Sequence, residues 1–141
     1  MLISTRGRYA LRVLVDLAEQ NTSEYIPLKE IAVRQHISQK YSESIMTLLS
    51  KAGMVEGIHG KGYRLSREPA DYKIGDVLRL TEGTLAPVSC LECGSDPCER
   101  ADECRTLPMW IKLDEMINDY LDDISVADLM KQDSKEFVKS E

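Results

Sequence analysis

The sequence predicts a mainly α-helical chain in which three short amphipathic helices run into a small β-hairpin, and one long helix follows much later. Three observations predict it. Apolar residues recur at helical spacing through the first fifty positions, two β-prone stretches then flank a tight glycine-containing turn, and a second helical repeat begins at residue 108.

Thr5 is expected to cap the first helix, which runs to about residue 20. Leu11, Leu14, Val15 and Ala18 form its apolar stripe, and Val13 and Leu17 widen it, so the helix packs from more than one side. Residues 21–25 are polar and loop-like, and Pro27 opens a short helix carrying Leu28, Ile31 and Ala32. Ser38 caps a third helix over residues 39–52, with Tyr41, Ile45, Leu48, Leu49 and Ala52 on one face. Gly53 ends it where a left-handed residue is usually needed. The opposite face offers Gln39, Ser42, Glu43 and Thr47, with Lys40 and Ser44 at its margins. These are short polar side chains able to reach base edges. Residues 54–58 and 63–65 read as strands joined by His59-Gly60-Lys61-Gly62, a hairpin.

Three helices followed by a hairpin make the order of a winged helix-turn-helix. In that motif the second helix of the turn enters the major groove and the hairpin contacts flanking backbone or minor groove. The predicted fold class is therefore mainly α, a winged helix-turn-helix with a small β-hairpin wing over residues 1–67. A C-terminal unit with a long dimerisation helix follows over residues 68–130. A small helical domain with an ordinary solvated face is the competing reading of the same polar residues.

Charge distribution favours the first. The chain carries a net charge of −6. Yet residues 1–67 hold ten Lys and Arg against six acids, whereas the remainder holds eight against eighteen. A basic front half suits phosphates, and an acidic rear half does not.

Beyond Arg67 the character changes. Residues 72–83 read as a short helix with Ile74, Val77 and Leu78 on one side. Residues 84–104 contain two prolines, little periodicity and all four cysteines, and form a loop. From Pro108 a long helix runs to about residue 122, where Trp110, Leu113, Ile117, Tyr120 and Ile124 recur at alternating three- and four-residue steps. That is the seam of a helix paired with another helix. Its simplest partner is a second copy of the chain, giving a homodimer; packing on the chain's own first helix is the alternative. Residues 125–130 add one more helical turn, and residues 131–141 form a charged tail expected to fray.

The cysteines follow the pattern Cys90-x2-Cys93-x4-Cys98-x5-Cys104. No secretion signal is recognisable, and thiols in the cytosol stay reduced, so structural disulfides are not expected. Thiolates suit iron–sulfur clusters and zinc. Structural zinc usually shows two Cys-x2-Cys knuckles, and only one is present, which favours an iron–sulfur cluster. Zinc, and metal-free thiols acting as a redox switch, remain open.

Beyond these features the chain resembles the Rrf2 family of bacterial transcription regulators along nearly its whole length. The resemblance rests on the opening Ile3-Ser4-Thr5-Arg6-Gly7-Arg8-Tyr9-Ala10, then Pro27-Leu28-Lys29-Glu30-Ile31-Ala32, and Ile37-Ser38 with Tyr41 and Glu43. It continues through Ala52-Gly53-Met54-Val55, Gly62-Tyr63, Ile74-Gly75-Asp76-Val77, Glu82-Gly83 and Ala86-Pro87-Val88. Cys98-x5-Cys104 followed by Trp110 completes it.

The resemblance implies a homodimer with two winged-helix heads, double-stranded DNA as partner in the form of a palindromic operator, and a crossing dimerisation helix. It also implies, as in the family's sensor members, three loop cysteines holding a [2Fe–2S] or [4Fe–4S] cluster. By position, Gln39, Ser42, Glu43 and Ser44 face bases, His59 and Lys61 belong to the wing, and Arg6 and Arg8 sit near phosphates. Cys98 and Cys104 match the last two cluster ligands, with Cys90 or Cys93 the first. The wing is shorter than the family's usual one, His59 stands where an Arg is common, and Leu107 replaces a histidine ligand of some relatives.

The expected function is thus a sequence-specific transcription regulator sensing through an iron–sulfur cluster. A metal-free regulator controlled by thiol oxidation or a protein partner is the alternative within the family, and a zinc-stabilised interaction module without DNA binding is the alternative outside it. No enzyme is expected, because His36 and His59 are the only histidines and neither stands in a catalytic motif. With no membrane-spanning apolar run, the expected location is the cytoplasm and no membrane partner is implied.

Overall fold

A computed structural model describes residues 2–92 and 102–130. Six helices and one hairpin occur among them: α1 (Thr5–Glu19), α2 (Leu28–Gln35), α3 (Gln39–Lys51), β1 (Val55–Ile58), β2 (Gly62–Leu65), α4 (Ile74–Glu82), α5 (Leu107–Asp122) and α6 (Val126–Leu129). Short 3₁₀ turns lie at Pro69–Asp71 and Ser89–Leu91. The order is that of a winged helix-turn-helix with an added helical unit. The expected frayed tail, residues 131–141, lies outside the described residues.

α1 is the centre of the molecule and packs against α2, α3, α4 and α6. Ala10, Val13, Leu14, Leu17 and Ala18 are all buried, which accounts for the wide apolar stripe. Its cap differs from expectation. Ser4, not Thr5, is the N-cap, and its side chain accepts the Gly7 N–H at 3.1 Å. Asp16, buried on the same helix, is held by Arg34 (Nη2 to Oδ1 2.7 Å) and by Gln35 (2.8 Å), so α2 is locked to α1 by a satisfied charge.

The turn between α2 and α3 is closed by His36 in the left-handed conformation and by buried Ile37. Ser38 then caps α3, accepting from the Tyr41 N–H, and Gly53 leaves it at φ +74°. β1 and β2 pair antiparallel, Val55 opposite Leu65 through Ile58 opposite Gly62. The hairpin is also stitched to the segment before α2: Ile26 and Tyr63 exchange two backbone hydrogen bonds of 2.8 and 2.9 Å.

The core runs on without a break past residue 67. Tyr72 is fully buried. Its hydroxyl donates to the Met54 carbonyl and accepts the Ser66 and Arg67 N–H groups, which ties the root of the hairpin to the chain leading into α4. Val126 of α6 is likewise fully buried, and its N–H donates to the Tyr72 carbonyl.

α5 docks through Ile117 and Leu121, with Ile124 just beyond its end, all half-buried against this core. Arg79 of α4 grips Asp122 with both terminal nitrogens (2.9 and 3.0 Å) and reaches Asn118 at 2.7 Å. Gly75 makes room for that carboxylate, since a Cβ there would lie 2.1 Å from Asp122 Oδ1.

Candidate DNA interface and cysteine loop

Glu43, Thr47 and Lys51 stand one helical turn apart on α3, and all three are exposed. They form one wall of an open cleft of about 760 Å³, with Gln39 at its end. The opposite wall is the hairpin from Gly57 through Ile58, His59, Gly60 and Lys61, and Pro27 to Lys29 join at the start of α2. The structure therefore brings Gln39, Glu43, Thr47, His59 and Lys61 to one surface. Lys40 and Ser44 are exposed on α3 but stand outside this cleft.

Ser42 does not belong to that surface. It is fully buried, and its hydroxyl donates to the Ser38 carbonyl at 2.9 Å. A small hydroxyl satisfied one turn back along its own helix can be buried at little cost, and Met46, absent from the expected apolar face, completes the packed side with Ile45 and Leu49. Lys29, Lys51 and Tyr63 were also not anticipated as lining this surface. For Lys51 the signal was present, four residues beyond Thr47 on the same stripe. Tyr63 lies over Gly57, where a Cβ would come within 2.7 Å of the ring, so the bare glycine lets the wing fold close.

Arg6 and Arg8 are exposed on the first turn of α1, and Arg8 donates to the Thr5 hydroxyl at 3.0 Å. Glu82 lies beside them. Burial works against its ionisation, but hydrogen bonds from the Ser4 amide and hydroxyl, with the nearby Thr81 hydroxyl and the Arg6 charge, outweigh it and hold its carboxyl below the usual range. Its stabilisation is present above the ordinary carboxylate pKa and is lost as pH falls through the lower folded value.

Of the cysteines, Cys90 lies in the Ser89–Leu91 turn and Cys104 three residues before α5; both are half-buried and neither is in a disulfide. Cys104 Sγ lies 3.4 Å from the Thr106 hydroxyl. Cys93 and Cys98 fall outside the described residues. On α5, Trp110 and Ile117 are half-buried, while Leu113 and Tyr120 are exposed. The expected seam is therefore divided between two faces.

Residues 3–132 match the model of the Rrf2 family, described as an iron-dependent transcriptional regulator. The chain belongs to the Rrf2 family. It is 37% identical over 138 residues to the rrf2 protein of Nitratidesulfovibrio vulgaris, covering 95% of this chain and 90% of that one. To the HTH-type transcriptional regulator IscR of Vibrio atlanticus it is 33% identical over 133 residues, covering 93% and 76%. Among solved structures it resembles CymR of B. subtilis, the global cysteine regulator, with a TM-score of 0.76 at 33% identity, covering 94% and 98%. The chain is thus a winged-helix transcriptional regulator with DNA as its partner. An interaction module without DNA binding does not fit such a family, and these relatives are not enzymes. No helix among the described residues is long and apolar enough to cross a membrane.

The cleft leads to a specific expectation. Glu43→Ala should change base preference by about 1–3 kcal/mol at the positions it reads, with the fold intact. Lys61→Ala should weaken specific and random duplexes alike and flatten the salt dependence. Ser42→Ala, on the buried side, should leave base preference unchanged. Competition between duplex libraries at two salt concentrations separates these outcomes; identical preference in the Glu43 variant and the parent would place base reading elsewhere.

Proposed function

We infer that the chain is a homodimeric, sequence-specific regulator that binds a palindromic operator and responds to the state of an iron–sulfur cluster on its cysteine loop. The observation that carries the DNA half of this reading is the single cleft shared by α3 and the hairpin. Its lining combines Gln39, Glu43 and Thr47 with the cations Lys29, Lys51 and Lys61, a polar and basic set suited to base edges and phosphates. In this reading Lys40, Ser44, Arg6 and Arg8 flank the same surface and meet phosphates, and two heads related by a two-fold axis read the two halves of the operator.

The donor set suits the cluster. Four cysteines within fifteen positions supply soft thiolates, and no histidine stands among them. Cys98 and Cys104 hold the group, with Cys90 or Cys93 as the next ligand. Bound there, a cluster supplies iron sensitive to oxidation and ligand exchange. The chain's own residues anchor the loop, through buried Leu85 on one side and the start of α5 on the other.

A second reading is favoured by the likeness to CymR. In it the same thiols act without metal, through oxidation or a protein partner, and zinc is a third occupant of the same donor set. Anaerobic purification followed by iron, sulfide and zinc analysis of the parent and four single Cys→Ala variants decides among them. The expected result is stoichiometric iron and sulfide in the parent, loss of both in Cys98→Ala and Cys104→Ala, and unequal effects at Cys90 and Cys93. A colourless parent with full zinc, or with no metal, would overturn the cluster and leave the DNA reading standing.

A further inference from the structure

We propose that Glu82 is the positioning residue that links the cysteine loop to the DNA-binding surface, by holding the N-cap of α1 and with it the first turn that carries Arg6 and Arg8. The inference rests on the reading of the loop as the responsive element and of the winged head as the DNA-binding one.

The contact is bidentate. The Ser4 N–H donates to Glu82 Oε1 at 2.5 Å, and the Ser4 hydroxyl donates to Oε2 at 2.7 Å. That same hydroxyl accepts the Gly7 N–H at 3.1 Å. One oxygen therefore caps the helix while its proton is committed to the carboxylate, so Glu82 fixes the orientation in which the lone pair meets α1. Without it the hydroxyl rotates freely and the cap weakens.

The close approach is built into the chain. Gly7 is buried, and a Cβ there would lie 2.9 Å from the Thr81 hydroxyl and 3.0 Å from Glu82 Oε2. A larger residue there would have to displace the Thr81 hydroxyl or the Glu82 carboxylate. On the other side, Glu82 is the last residue of α4, and Gly83 at φ +81° turns the chain directly into the cysteine loop. Seven residues separate Glu82 from Cys90. Between them Leu85 is buried, and Ala86 to Val88 border a small cleft of about 280 Å³ whose other border is Leu2, Ile3 and Glu82 itself. The root of the loop thus lies beside the segment that leads into α1, with Glu82 common to both. A shift of the loop root moves Glu82, uncaps Ser4 and loosens the turn that presents Arg6 and Arg8.

The test uses the full chain and a duplex selected by the parent from a random pool. Glu82→Gln keeps the shape but replaces the acceptor of the Ser4 hydroxyl or of its N–H with a donor. It should speed hydrogen exchange at the amides of residues 5–8, leave core amides of α1 protected, and lower duplex affinity about tenfold. Ser4→Ala should do the same, and the double variant should be no worse than either. In a double-mutant cycle, the change in affinity caused by Cys104→Ala in the parent should be largely absent in the Glu82→Gln background. The inference is overturned if Glu82→Gln binds as the parent does, if its first-turn exchange is unchanged, or if Cys104→Ala has its full effect in both backgrounds. A parent that selects no duplex at all would instead sink the DNA reading, and this inference with it.

Discussion

In the proposed homodimer, Leu113→Asp or Met116→Asp is expected to give monomers and to reduce operator affinity by about 100-fold or more, the avidity lost when paired half-sites meet single heads. α5 has no fully buried residue among the described ones, although it is sixteen residues long. Met109, Leu113, Met116 and Tyr120 are 54%, 38%, 57% and 57% exposed, and they follow one another at steps of four, three and four. That is a continuous apolar stripe of helix-pairing period left facing outward. Burying one such side chain is worth about 1.5–3 kcal/mol, and a two-fold axis counts each of them twice. An aspartate at its centre would instead face its own copy across the axis. Ile117 sits on the neighbouring stripe and packs inward with Leu121, so Ile117→Asp should lower stability rather than report on pairing. Sedimentation velocity at micromolar concentration distinguishes the two. A Leu113→Asp protein that stays dimeric would move the interface off α5.

The divided seam shows where periodicity alone falls short. Trp110, Leu113, Ile117 and Tyr120 do recur at helical steps. On a helix, however, they spread over a broad arc, and Met109 and Met116 extend it on one side as Leu121 does on the other. Such an arc has room for two partners. Which edge meets the chain's own α4 is decided by the grip of Arg79 on Asp122 and Asn118, a contact spanning about forty positions that no local pattern reveals.

The same limit explains the cap of α1. Ser4 and Thr5 are both good caps by type, and Glu82, remote in sequence, selects Ser4. By contrast, the order of helices, the Ser38 cap, the Gly53 exit and the glycine turn of the wing were legible, because each is set by residues within one turn of the feature. Ser42 departs from expectation because a polar side chain need not be an exposed one. Its partner was the carbonyl four residues earlier, an option open to any helical serine. For the cysteine loop the spacing is informative about donors and silent about placement, since an irregular segment has no period to read.

Gly62→Ala should be the most damaging single-methyl change in the wing. Gly62 sits at φ +119°, well outside the left-handed region that asparagine and histidine tolerate, and a Cβ there would lie 2.1 Å from the Ile26 carbonyl oxygen and 2.7 Å from the Pro27 nitrogen. These are backbone atoms and cannot swing aside. Relief requires β2 to lift off the segment before α2, which breaks both Ile26–Tyr63 hydrogen bonds and opens the cleft in which His59 and Lys61 face α3. Backbone strain of about 1–3 kcal/mol, together with two lost hydrogen bonds at about 1 kcal/mol each, gives a destabilisation of about 3–5 kcal/mol. In a chain of this size that lowers Tm by roughly 10–20 °C. Gly60→Ala supplies the control. It too has a positive φ, +84°, but nothing lies within 4 Å of its Cβ position, so only the conformational cost of about 1 kcal/mol applies. Thermal unfolding and duplex binding should therefore fall together in Gly62→Ala and barely move in Gly60→Ala. Equal melting temperatures for the two variants would mean that the stitch between the wing and the start of α2 does not hold the hairpin in place, and that the cleft owes its shape to the β1–β2 pairing alone.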